Sequence, residues 1–226
     1  MWIASFDIGK KNFSFYIEEI NQDLTKKKCN IDPKNRFNKD GTLTEEFSDF
    51  MDDLCLNGKK VLLSNNDITD GSKNYIDYNM YHNMTDLLDK YETYWDKCSI
   101  IVIEKQMSFG KRNNTMAVKL GQHCWSYFSF KYGRFKDIIE FPAYHKTQVL
   151  GCEKVKTNRK DKKGRIKYKA ITKYNRKKWC INKGLKILED RGDTNTIDII
   201  KDSKKKDDLC DVICQLQAFK YIYFFN

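Results

Sequence analysis

Acidic residues stand at three places in the chain where a charged side chain is costly to bury. Asp7 follows an apolar run that begins at Trp2, and Glu104 closes the run CSIIVIE. Asp208 and Asp211 are three residues apart on a predicted C-terminal helix, so both lie on one side of it. A single acid at a strand end is more often a solvated terminus or a helix cap. The interpretation therefore depends on all four acids together.

A cluster of carboxylates needs a cation. Buried acids repel one another and take up protons, so they stay ionised only beside a positive charge. Ligands that are all oxygen, without histidine or cysteine, suit Mg²⁺ or Mn²⁺. Two such ions about 3.5–4 Å apart activate a water and stabilise the leaving oxygen in phosphodiester cleavage. The acids therefore favour a metal-dependent nuclease.

The composition indicates a polyanionic partner. The 226 residues include 42 Lys and Arg against 31 Asp and Glu, a net charge of +11, which favours nucleic acid over an anionic membrane surface. No apolar run approaches the roughly 20 residues that span a bilayer, and the first residues lack a signal-peptide pattern. The eight cysteines are scattered without a CxxC, so we expect an intracellular, reducing compartment and no zinc site.

The elements that must position the acids describe one α/β domain over residues 1–226. The first 20 residues predict a β-hairpin, and CSIIVIEKQ predicts a strand covered on both faces. Residues 21–78 are polar, with one further strand near Val61–Leu63 among loops. The remaining pattern predicts helices from residue 85, over 114–131, around 179–188 and at the C-terminus, a strand at DIIEF, and a polar linker over 190–206.

Three motifs in this order resemble the RuvC-like Holliday junction resolvases, most closely those of poxviruses and other large DNA viruses. FDIGKKN stands on the first strand, IEKQ ends the buried strand, and KKDDLCD opens the last helix. The resemblance implies a ribonuclease H-like fold, a mixed β-sheet flanked by helices, with 21–78 as an insertion. It also implies a homodimer that makes paired, symmetric nicks in a four-way DNA junction, and a cytoplasmic viral factory as its location.

The resemblance also implies roles for particular residues. Asp7, Glu104, Asp208 and Asp211 become the ligands of two Mg²⁺ or Mn²⁺ ions. Asp207 is the rival of Asp208, but the three-residue spacing to Asp211 favours Asp208. The viral enzymes carry an active-site lysine after the next strand, and Lys146 in FPAYHKTQ matches that position.

By this likeness Lys146 would stabilise charge on the phosphate during cleavage. A plain surface lysine is the alternative. His145 is a weaker candidate for the same role.

Basic, polar and aromatic residues near the predicted site are candidates to bind DNA. Runs of lysine are often only a solvated surface, but their position beside the acids favours phosphate contacts. The candidates near the site are Lys10, Lys11, Lys105, Gln106, Phe109, Lys111 and Arg112. Residues 153–178 predict a basic arm that follows the DNA backbone and orders on binding, with Lys160, Lys162, Lys163 and Arg165 as its contacts.

Other functions stay open at this point. The same fold supports a broader structure-specific or RNA/DNA-hybrid nuclease, and a non-catalytic basic DNA-binding protein would make the acids incidental. An actin- or Hsp70-like ATPase also has a D-x-G hairpin but needs a later glycine-rich phosphate loop, and the sequence has no Gly-Gly pair. If the protein is a homodimer, we expect the helix at 114–131 to form the interface through Met116, Leu120, Trp125 and Phe128.

Overall fold

The computed structural model describes residues 1–23, 28–71, 73, 75–106 and 114–225. Its strands are β1 (Trp2–Asp7), β2 (Phe13–Glu19), β3 (Lys59–Asn66), β4 (Cys98–Lys105), β5 (Asp137–Pro142), β6 (Lys154–Lys160) and β7 (Ile166–Ala170). Its helices are α1 (Glu45–Leu56), α2 (Tyr78–Lys90), α3 (Glu92–Trp95), α4 (Thr115–Tyr132), α5 (Tyr144–Val149), α6 (Lys173–Asp190), α7 (Thr194–Asp202) and α8 (Lys206–Phe225). In the described ranges, no helix is long and apolar enough to cross a membrane.

Five strands form one mixed sheet in the order β3-β2-β1-β4-β5. Strands β1, β2 and β3 are antiparallel neighbours, whereas β4 runs parallel to both β1 and β5 because helices connect these strands. Since side chains alternate along a strand, Ile3, Ser5 and Asp7 share one face of β1, and Ala4 and Phe6 share the other. The predicted mixed sheet flanked by helices is confirmed.

Helices α2, α3 and α4 cover the face that carries Phe6. The rings of Phe6, Phe15, Trp95 and Phe128 pack there with centroids 5.2–5.8 Å apart. Phe128 and Leu120 of α4 are fully buried in this core. The prediction that these two residues form a dimer interface is therefore wrong, because their side chains are needed to cover the sheet.

Helix α8 covers the opposite face of the sheet, the one that carries Asp7. We predicted an amphipathic helix, but most of α8 is buried on all sides: its residues from Val212 to Tyr221 are all buried. Packing against the sheet on one side and against α1, α5, α6 and α7 on the others explains this burial. A helix enclosed in this way holds its side chains in fixed positions.

The polar segment 21–78 contains more regular structure than expected. The strand predicted near Val61–Leu63 is confirmed as β3, which pairs with β2 and extends the sheet. Helix α1, which was not predicted, buries Phe47 and Met51 against α8. The polar linker predicted over 190–206 is wrong, because α7 forms there and buries Ile197 and Ile200.

Within the predicted basic arm over 153–178, residues 154–170 fold as an antiparallel β-hairpin of β6 and β7, which we call the basic hairpin, and residues 173–178 begin α6. Its turn is closed by Asp161, whose Oδ1 accepts hydrogen bonds from the backbone N–H groups of Lys163 and Arg165. Gly164 takes the left-handed conformation in this turn, with φ of 76°. The arm predicted to order only on DNA therefore already has regular structure without it.

Candidate active site

Asp7 and Glu104 lie side by side where two parallel strands end. Phe6 of β1 pairs with Ile103 of β4, and each acid is the next residue of its strand. The carboxyl of Asp7 is hydrogen-bonded to Glu104. Burial and the nearby charge of Glu104 raise the pKa of Asp7 well above its usual range. The charged form of Asp7 is therefore costly in this structure, and a bound cation would offset that cost.

Lys146 lies between the acids. Helix α5 follows β5 directly and directs this side chain inward, where it is only 6% exposed. Its Nζ lies 3.6 Å from Oε1 of Glu104 and 3.4 Å from Oδ1 of Asp211. Burial alone would lower the pKa of Lys146, but Glu104, Asp211 and Asp7 outweigh it and raise that pKa well above its ordinary value. Lys146 is thus a fixed positive charge in a group of acids.

Asp208 and Asp211 stand in the first turns of α8, and Asp211 is the one that approaches Lys146 and the charge of Asp7. Asp208 is partly buried, and its Oδ2 lies buried without a hydrogen-bond partner. Burial and the charge of Asp207 raise the pKa of Asp208. Asp207 instead forms an ion pair with Lys177 of α6, which lowers its pKa even though burial acts in the opposite direction. Of the two neighbours, Asp208 has the oxygen that is available to a ligand.

Two buried side-chain oxygens without hydrogen-bond partners lie on β2 and β3, across the sheet from Asp7. Ser14 of β2 lies opposite Asp7, and Asn65 of β3 lies opposite Ser14. In the part of the chain that the structure describes, the buried side-chain polar atoms without a partner are Ser14 Oγ, Asn65 Oδ1, Asp208 Oδ2 and Gln215 Oε1. Sequence reasoning missed Ser14 and Asn65, because their alignment with Asp7 becomes visible only in the strand register.

These oxygens fit a hard divalent cation such as Mg²⁺ or Mn²⁺. Within the described ranges, no three His, Cys, Asp or Glu side chains already converge as a metal site. The Lys146 ammonium supplies the positive charge that the acids need in this structure, so ligation by Glu104 and Asp211 together requires that ammonium to shift. Asp7, Glu104 and Asp211, which the structure groups around Lys146, could hold such an ion, and Asp208 stays a candidate from the sequence.

Helix α8 is fixed against β1 next to these acids. Gln215, one turn after Asp211, donates from Nε2 to Oγ of Ser5 and to the carbonyl oxygen of Phe6, each at 3.0 Å. Cys180 of α6 donates its thiol hydrogen to Oδ1 of Asp211, at 2.9 Å. Neither residue was singled out from the sequence, since each reaches the site only through helix packing.

The residues predicted to contact DNA near the site lie in different parts of the fold. Lys10 and Lys11 lie in the turn that follows Asp7. Lys105 pairs with Glu140 on β5 at 3.6 Å and is half-exposed. Gln106 lies against α4, with its Cγ 3.9 Å from the point where a Cβ on Gly121 would stand. Phe109, Lys111 and Arg112 lie outside the described residues.

His145 points away from the acids. Its ring packs on Phe141 and Tyr144, with centroids 5.2 and 4.3 Å away, and burial lowers its pKa. It lines a cavity of about 480 Å³ together with Arg36 and Lys154. The structure therefore brings Lys146, and not His145, to the carboxylates.

The basic hairpin carries the other predicted contacts at its tip. The tip residues are Lys160, Lys162, Lys163 and Arg165, all exposed, and at about 3.3 Å per residue they lie roughly 20 Å from its base. Residues 154–170 include nine basic side chains and one acid, Asp161. Val155 and Ile166 are 45% and 42% exposed, so the hairpin lacks a core of its own.

Comparison with known proteins gives a viral relative and a shared fold. No protein-family model matches the chain. The chain is 38% identical to the uncharacterized protein 170L of Invertebrate iridescent virus 6 over 246 residues, which cover all of this chain and 91% of that protein. The Fowlpox virus resolvase, solved with substrate Holliday junction DNA, superposes with a TM-score of 0.53 at 16% identity, covering 98% of this chain and 99% of that one. RuvC of Thermus thermophilus gives 0.51 at 8% identity, covering 99% and 98%. The predicted RuvC-like fold is confirmed.

Proposed function

We propose that this chain, which belongs to the same family as protein 170L of Invertebrate iridescent virus 6, is a metal-dependent endonuclease that resolves four-way DNA junctions by paired, symmetric nicks. The observation that carries the proposal is the group of Asp7, Glu104 and Asp211 around Lys146 on a resolvase fold. Since the relative is viral, we expect the enzyme to act where viral DNA is made, in the cytoplasmic factory.

Each residue of the site has a distinct task in this proposal. Asp7, Glu104, Asp208 and Asp211 hold two Mg²⁺ or Mn²⁺ ions, which when bound activate water and stabilise the leaving oxygen. A bound cation would offset the effect of burial and of Glu104, which together disfavour the charged form of Asp7. Lys146 keeps the acids from repelling one another and offers its ammonium to the charge that develops on the phosphate.

The basic hairpin binds a DNA arm through its phosphates. Its nine cations on a thin two-stranded projection offer charge on both faces, which suits a sugar-phosphate backbone more than base edges. Lys10 and Lys11, in the turn after Asp7, are our candidates to contact the strand that is cut. Phe109, Lys111 and Arg112 remain candidates by sequence alone.

Paired nicks require two copies of the site, so we propose a homodimer on the junction. Trp125, 36% exposed on α4, and Met116 remain available for an interface after Leu120 and Phe128 are assigned to the core. Sedimentation of the protein, free and on a junction, tests this point. A monomer in both states would contradict the dimer.

Cleavage of a labelled four-way junction tests the activity. We expect Mg²⁺ or Mn²⁺ to produce nicks at matching positions in opposite strands, and EDTA to prevent them. Duplexes, flaps and RNA/DNA hybrids of the same sequence measure substrate choice. Equal cleavage of hybrids would favour the broader nuclease, and tight binding without any cleavage would favour a non-catalytic DNA-binding protein.

A salt series tests the basic hairpin. Replacing Lys160, Lys162, Lys163 and Arg165 by Ala should flatten the dependence of log Kd on log salt by up to about 0.9 for each lost phosphate contact. The matched control removes the same charge away from the hairpin, from Lys59 and Lys60 of β3, Lys90 at the end of α2 and Lys97 before β4. Equal slopes in the two variants would show that the hairpin is only a solvated surface.

A further inference from the structure

A buried thiol contacts one of the proposed metal ligands. The Sγ atom of Cys180 lies 2.9 Å from Oδ1 of Asp211 and donates its hydrogen to it. The cysteine is 4% exposed, so water does not compete well for this contact. Lys146 approaches the same Oδ1. Both contacts therefore fix the plane of the carboxylate through one oxygen and leave Oδ2 to a cation.

The packing of α6 on α8 makes this contact reachable. Gly184, one turn after Cys180, faces Cys210 so closely that a Cβ added to it would stand 2.9 Å from the Cβ of Cys210. Cys214 adds a second link between the helices, since its thiol donates to the carbonyl oxygen of Cys180 at 3.7 Å. Cys210 and Cys214, one residue before and three residues after Asp211, thus hold α6 in the position from which Cys180 reaches the carboxylate.

We infer that Cys180 is a positioning residue that orients the Asp211 carboxylate for metal binding, an inference that rests on the proposed nuclease function. The role needs a hydrogen-bond donor at this point and does not need sulfur. Groups that hydrogen-bond a metal ligand in this way typically change metal affinity by about 10–100-fold when they are removed. A thiol that only filled space would have no such effect.

The test compares Cys180→Ala with Cys180→Ser. Alanine removes the donor, whereas serine keeps a hydroxyl at the same position. We expect Cys180→Ala to weaken Mn²⁺ binding, measured by calorimetry on the DNA-free protein, by about 10-fold or more. The metal concentration that gives half-maximal junction cleavage should rise in parallel, and Cys180→Ser should recover most of both losses.

Cys124→Ala is the matched control, because Cys124 is an equally buried thiol on the opposite face of the sheet. It should lower thermal stability in the way any buried cavity does and leave Mn²⁺ affinity unchanged. Unchanged affinity in Cys180→Ala, or a serine variant no better than the alanine variant, would overturn the inference. A wild-type protein that binds Mn²⁺ yet fails to cut junctions would instead contradict the proposed function and leave the metal-affinity comparison readable.

Discussion

Acids lie inside the fold at both ends of the sheet, partly buried at one end and fully buried at the other, and their surroundings are opposite in kind. At one end Asp7, Glu104 and Asp211 share a single ammonium, that of Lys146. At the other end one acid, Glu18 of β2, lies between two cations, Lys220 and Arg191. Among the described residues, the ion pairs at the first end set one cation against two acids, Glu104 and Asp211, whereas those at the second end set two cations against one acid.

The Glu18 end is also complete in its hydrogen bonds. Its Oε1 accepts from Lys220 at 2.7 Å, and its Oε2 accepts from Arg191, Gln217 and Tyr16 at 2.8–3.0 Å. Gly58 leaves room for this carboxylate, since a Cβ there would stand 2.0 Å from Oε1. A buried acid whose oxygens are all satisfied stabilises the fold, and one with unpartnered oxygens beside it is available to a ligand.

Replacing Glu104 by Gln gives the largest expected effect. Losing one metal ligand removes several kcal/mol of transition-state stabilisation, so cleavage should fall by about 1,000-fold while junction binding stays equal or tightens. Glu140→Gln, the same change at an exposed acid on β5, is the control and should cut normally. If Glu104→Gln nicks junctions at a rate near that of the wild type, the Glu104 end of the sheet is not the catalytic end.

Replacing Glu18 by Gln should lower stability and spare the chemistry. The amide leaves Lys220 and Arg191 buried without their counter-charge, which costs about 3–5 kcal/mol of unfolding free energy. Urea unfolding measures this loss, and cleavage below the melting temperature should be retained. Lys186→Met breaks an exposed pair with Asp190 on α6 and should leave the free energy of unfolding nearly unchanged.

Lowering the pH should reduce the stability that Glu18 contributes to the fold, over a defined pH range. Burial would raise the pKa of Glu18, but Lys220 and Arg191 outweigh it and lower that pKa from 4.5 to about 2. A lowered pKa stabilises the fold above pH 4.5, and this contribution, about 3 kcal/mol, is lost as the pH falls from 4.5 through 2. Unfolding measured over this range should be steeper for the wild type than for Glu18→Gln. Parallel curves would show that the pair contributes nothing.

The smallest expected change is in the stability of Asp7→Asn, which should rise, whereas that of Glu18→Gln should fall. Because burial and Glu104 raise the pKa of Asp7, its ionised form destabilises the metal-free protein at neutral pH, and lowering the pH relieves that cost. Asp7→Asn should therefore raise the metal-free stability at pH 7, and its loss of cleavage should match that of Glu104→Gln, since each variant removes one proposed metal ligand. If Asp7→Asn and Glu18→Gln both destabilise, the contrast between the two ends fails.

Strands and helices could be predicted from the sequence where their buried faces produce a recognisable spacing of apolar residues. The apolar runs before Asp7 and Glu104 predicted β1 and β4, and the parallel pairing of these strands brings the two acids together. Helix α1 carries the helical spacing Phe47, Met51 and Leu54, but its many acids concealed it. The basic hairpin has no buried face, so its strands show no pattern of apolar residues.

Contacts between distant segments were beyond prediction. The position of Lys146 came from the resemblance, and its place between Glu104 and Asp211 required the fold. Cys180 looks like any other buried cysteine, because its contact with Asp211 depends on the close approach of α6 and α8 at Gly184. The row of Ser14 and Asn65 depends in the same way on a strand register that composition does not encode.

Helix α8 joins the two ends of the sheet, and this has a consequence for the order of folding. Asp211 and Lys220 lie on the same helix, and their partners on β1 and β2 are about 200 residues earlier in the chain. Contacts that close such long loops form late, after local hairpins and helices. A refolding chain should therefore gain metal affinity and its charged structural core in a single final step. Before that step the chain already carries its basic residues but lacks the assembled site. The rate at which a refolding chain gains metal binding should therefore report the rate at which α8 docks on the sheet.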